Sequence, residues 1–98
     1  MYVKSDGKSV TLRFTGVQQS ATASSAITIS PALATRFLPS TFVSALCFII
    51  QAQNSTNAVG LFTLQSAGQM TIYATPASGT FTSGQVSGFS DFAISYTI

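Results

Sequence analysis

The chain has 98 residues, of which only six are charged, with a net charge of +2, no His, no Trp and a single Cys. That inventory excludes a disulfide scaffold and every catalytic arrangement built on His, and it points away from a nucleic-acid surface of clustered Lys and Arg. The length fits one domain over residues 1–98, and a hydrophobic fraction of 46 % is ample to fold it.

Solubility rests on neutral polar groups, since Ser and Thr supply 28 residues, helped by seven Gln and two Asn. A small domain this apolar and this poor in surface charge is expected to associate with itself.

Strand periodicity runs through the whole chain, with no long stretch of helical spacing. Asp6-Gly7 stands between residues 2–5 and 8–14, the signal of a two-residue hairpin whose second arm points Val10, Leu12 and Phe14 inward. Residues 16–24 read as a polar connection. Residues 25–30 alternate again, with Ile27 and Ile29 on one face, and Pro31 ends them. Residues 32–38 read as an ordered loop bounded by Pro39, with Arg36 outward.

Residues 42–53 are apolar at both parities: Phe42, Leu46, Phe48 and Ile50 on one side, Val43, Ala45, Cys47 and Ile49 on the other. A strand with two apolar faces in an antiparallel sheet is expected between its own core and a partner subunit; a short buried helix is the alternative. Val43, Ala45, Cys47 and Ile49 are the expected interface row, and Cys47 behaves as a small, inert hydrophobe. Asn54, Ser55, Thr56 and Asn57 form an expected turn, whose first three residues also match the N-glycosylation sequon. Residues 58–65 and 70–75 form the next hairpin, closed by residues 66–69 with Gly68 left-handed. Residues 76–88, with three Gly and a Pro, read as an exposed apical loop or short edge strands. Residues 90–98 alternate to the end, placing Phe92, Ile94, Tyr96 and Ile98 on one face of a terminal strand tied into the sheet. Six to eight short strands with frequent turns predict an all-β fold, an antiparallel β-sandwich of jelly-roll type.

Chemistry finds little support. Two carboxylates, Asp6 and Asp91, are accounted for by a turn and a strand start, which leaves a glycosidase pair as a minor reading. The S-x-x-K match at Ser5 and Lys8 spans a hairpin where that motif requires a helix. Neither a zinc nor a calcium ligand set is present, so no metal and no cofactor is expected, with an ion on an oligomer axis left open. The run at residues 42–50 is too short to cross a bilayer, and residues 1–8 lack the apolar core of a signal peptide.

Four stretches then carry a resemblance: residues 9–16 (SVTLRFTG), Leu38-Pro39-Ser40-Thr41-Phe42, the hairpin at 60–73 (GLFTLQSAGQMTIY), and the closing 88–98 (GFSDFAISYTI). Over most of its length the chain resembles the C-terminal globular head domains of bacteriophage tail fibres and related viral fibres. The resemblance implies a homotrimer, a fragment of a longer fibre protein, displayed at the virion surface and binding a host-cell receptor that is a glycan or a protein. It implies no enzyme activity, no nucleic-acid partner and no membrane insertion. Under it, ligand contact is expected from the loops around Asn54, Ser55, Thr56 and Asn57 and around Ser78, Thr80, Ser83 and Gln85, together with Tyr73. The competing reading is a structural capsid, spike or assembly module without receptor binding.

Overall fold

The structure, a computed structural model, describes residues 1–20, 26–30, 32–51, 55–81 and 86–98. Every regular element among them is a strand except a single 3-10 turn at Thr35–Phe37. The strands are β1 (Tyr2–Ser5), β2 (Ser9–Phe14), β3 (Val17–Ser20), β4 (Ile27–Ile29), β5 (Val43–Gln51), β6 (Ser55–Leu64), β7 (Met70–Tyr73), β8 (Val86–Phe89) and β9 (Phe92–Thr97).

They make two antiparallel sheets: three strands in the order β1-β2-β9, and six in the order β3-β8-β5-β6-β7-β4. The larger sheet curls until it nearly closes, so that a groove between its edge strands is lined by Val17, Ile27, Ile29 and Phe89.

The first hairpin forms where the sequence places it, but one residue later. Tyr2 pairs with Arg13 and Ser5 with Val10, which leaves Gly7 and Lys8 as the two central turn residues. Gly7 takes φ +90° at the first of them, the conformation an L side chain resists. Asp6 lies outside the turn centre because its carboxylate has another use: it accepts the backbone N–H groups of Lys8 at 2.9 Å and Ser9 at 2.8 Å.

β2 then buries Val10, Leu12 and Phe14 as its alternation demands, and β9, paired along its whole length, adds Ile94 and Tyr96. The larger sheet answers with Cys47 and Ile49 from β5, Phe62 and Leu64 from β6, and Met70 and Ile72 from β7. Aromatic rings join the sheets. Phe14 stacks on Phe92 with centroids 4.7 Å apart, and Phe62 meets both rings, at 5.2 Å from Phe14 and 5.5 Å from Phe92. Each such pair adds about 0.5–1.5 kcal/mol to what burial of the rings contributes.

Several expectations need correction. The polar connection over 16–24 contains β3, whose Gln18 and Gln19 pair with Gly88 and Ser87 of β8; its ladder is a backbone property that polar side chains do not advertise. The expected turn at 54–57 is a strand from Ser55 onward, since Ser55 pairs with Gln51. The segment 76–88 does not end as an edge: β8 sits between β3 and β5, and Phe81 is 1 % exposed. Ile98 lies beyond the last ladder pair and is exposed, its N–H donating to the Lys8 carbonyl at 2.8 Å.

Candidate functional site

The two parities of β5 have opposite fates. The odd residues face the protein's own interior: Cys47 and Ile49 are buried, and Val43 and Ala45 pack against the core. The row expected at a subunit interface is therefore core, because it packs in one cluster with the inward side chains of β2 and β9 from the other sheet. The even row is the open one, with Leu46 65 %, Phe42 58 % and Phe48 57 % exposed. It continues across the ladder. Leu46 lies opposite Leu61 and Phe48 opposite Val59, itself 39 % exposed, and Leu61 lies opposite Tyr73. A hollow of about 400 Å³ opens beside the row, lined by Leu46, Cys47, Phe48, Val59 and Phe92. Asp91 stands at its rim, and the Asp91 carboxylate accepts the Gly16 N–H. This contiguous apolar surface is a candidate for association.

The residues expected to touch a receptor are only partly gathered. Ser78 and Thr80 are exposed on the turn after β7, where Ser78 adopts φ +65°. That turn is held by Thr75, whose hydroxyl accepts the Gly79 N–H at 2.9 Å and whose carbonyl accepts the Ser78 N–H at 3.1 Å. A non-glycine residue held in the left-handed region presents its side chain from a fixed backbone. Tyr73 is half-buried on the outer side of β7. Asn54, Ser83 and Gln85 lie outside the described residues, and Ser55, Thr56 and Asn57 belong to β6 instead of a loop.

A second concavity, of about 630 Å³, lies at the end of the three-stranded sheet between Tyr2, Arg13, Thr15, Asp91 and Phe92. Sequence reading missed it, because Tyr2 and Arg13 come together only through the β1–β2 register. Beyond it, the outer face of this sheet is hydroxyl-rich, with Thr11 and Ser95 hydrogen-bonded at 2.8 Å across β2 and β9.

Tyr2, Arg13 and Asp91 are the titratable side chains gathered at that second concavity. The hydrogen bonds from Ser9 and Lys8 hold the Asp6 carboxyl below its ordinary value of 3.8, which is the behaviour of a capped turn. Burial pushes the Cys47 thiol up to about 11, so it stays protonated and unreactive at neutral pH. Burial also raises Tyr96, whose hydroxyl donates to the Phe37 carbonyl at 2.6 Å. Among the described residues no group of three or more His, Cys, Asp or Glu side chains could hold a metal ion, and no helix is long and apolar enough to cross a membrane.

No known protein family and no curated protein matches this chain.

Proposed function

We propose that this chain is the head domain of a viral or bacteriophage fibre: a homotrimeric antiparallel β-sandwich of jelly-roll type that attaches the virion to a receptor on the host surface. It acts by binding and not by catalysis. The observation that carries this reading is the open apolar row of β5 and β6, which leaves Leu46, Phe48 and Phe42 in water in a single chain and calls for a partner. The packing of two antiparallel sheets over one aromatic core supports the sandwich, and the neutral hydroxyl surface suits display outside a cell. Receptor contact falls to the exposed turn carrying Ser78 and Thr80, held rigidly by Thr75. Three copies of a weak site on one particle bind with an avidity that no single copy reaches.

The test is attachment. Labelled protein is offered at micromolar concentration to a panel of bacterial and animal cell surfaces and to immobilised glycans. The reading expects saturable binding to at least one of them, weakened by Ser78→Arg and Thr80→Arg together. A folded, assembled protein that binds none contradicts it and favours a structural capsid, spike or assembly module.

A further inference from the structure

The charges of this chain are segregated between its two sheets. Residues 37–90 contain no Asp, Glu, Lys or Arg, and none lies in β3 or β4, so the six-stranded sheet is without a charged side chain from edge to edge. Lys4, Asp6, Lys8 and Arg13 all belong to the β1–β2 hairpin of the other sheet. One sheet is thus built for water on its outer side, and on the other the described outer positions Leu46, Phe48, Val59 and Leu61 are apolar, with no charged residue in β5, β6 or β7.

We infer that the even row of β5 with the facing residues of β6, Phe42, Leu46, Phe48, Val59 and Leu61, is the surface on which a second copy of this chain docks. Three arguments choose that occupant. The first is charge: the β5–β6 face carries no charged side chain, and the one charge beside it, Asp91 at the rim of the hollow, is already engaged by the Gly16 N–H, so the face meets its own copy with little of the like-charge repulsion that charged homotypic contacts suffer and offers a charged partner little to steer by. The second is area. With large side chains presenting about 150–250 Å² each, the four residues whose exposures are given above present on the order of 400 Å². That is about half of the ~800 Å² per partner in a standard interface, and Leu61, Ile50 and Tyr73 border it. The third is shape, because the 400 Å³ hollow beside Leu46 and Phe48 can receive a projecting side chain from the neighbour. Phe42 and Phe48, two exposed aromatics on an uncharged sheet, are the side chains suited to fill it. Docking this way turns the hairpin that bears Lys4 and Arg13 toward solvent.

That three copies close into a ring rests on the fibre-head reading; the docking face itself does not. A cyclic trimer requires a heterologous contact, in which the Leu46–Phe48 row of one copy meets the Phe92 side of the hollow on the next.

The test is sedimentation velocity on the whole chain and three variants, with circular dichroism to verify the fold. Leu46→Asp replaces a side chain that a single chain leaves in water, so the fold is expected to survive while the dissociation concentration rises at least about thirtyfold. Phe48→Ser, a milder change, is expected to act in the same direction and keeps the result readable if Leu46→Asp fails to fold. Lys4→Asp, on the other sheet, is expected to leave assembly unchanged. An assembly insensitive to both β5 variants, or one broken equally by Lys4→Asp, overturns the inference. Assembly through β5 without attachment to any surface leaves the docking face standing and removes the fibre-head reading; attachment with an assembly indifferent to β5 does the reverse.

Discussion

Gly60 lies directly opposite Cys47 in the β5–β6 ladder, and a Cβ placed on it would run into the Ile49 side chain and the Tyr73 carbonyl oxygen. The side-chain methyl of Ile49 could shift, but the Tyr73 oxygen is backbone. Gly60→Ala is therefore expected to destabilise the fold by about 1–3 kcal/mol, seen as a lower urea midpoint at unchanged m-value. A variant as stable as the parent would show that β6 is not held this close to β7 and Ile49.

Tyr96 ties the far end of β9 to the 3-10 turn through the hydrogen bond to Phe37. Tyr96→Phe keeps the ring in the core and removes only the hydroxyl, so the expected loss is about 0.5–1.5 kcal/mol. Chemical denaturation of the two proteins side by side measures it. No loss at all would mean that water replaces the hydroxyl at the Phe37 carbonyl.

The acid limb of stability carries the signature of Asp6. Its folded pKa is depressed, first by the Ser9 N–H and then by the Lys8 N–H. The stabilisation is therefore complete above the unfolded value near 3.8 and is lost as pH falls through the lower folded value. Asp6→Ala should be less stable than the parent at pH 6, and the difference should vanish by the bottom of the acid titration. A difference that stays constant with pH would assign the effect to the hairpin backbone and not to the carboxylate.

Cys47 should resist alkylation in the folded protein at pH 8 and react at the rate of a free thiol in denaturant, because burial both covers it and holds it protonated. Fast labelling of the native state would place Cys47 on the open side of β5, and with it the whole parity assignment of that strand.

That assignment marks where the sequence stopped being legible. Alternation locates β2 and β9 well, since Val10, Leu12 and Phe14 are apolar against polar neighbours and only one face can be inside. In β5 both parities are apolar, so periodicity shows a strand with two dry faces and cannot tell which is the interior; that depends on whether Cys47 or Leu46 faces Phe62 and Leu12 in the fold. β3 and the start of β6 were invisible for a different reason. Gln18, Gln19 and Ser55 join ladders through their backbone groups, and Thr63 and Thr71, paired and buried, read as surface residues. The candidate surfaces were the least legible part, because the grouping of Tyr2 with Arg13 at one concavity and the turn conformation of Ser78 arise from register and turn geometry, neither of which a composition reveals.

The docking face and the trimeric head both require the outer face of β5 to be covered in solution, and light scattering across a range of protein concentrations reads this most directly. The expected mass is about three times the 10.2 kDa of one chain, holding down to low micromolar concentration. A constant 10.2 kDa throughout would contradict it: Leu46, Phe48 and Phe42 would then be exposed residues of a stable monomer, and neither the docking face nor the trimeric head would survive.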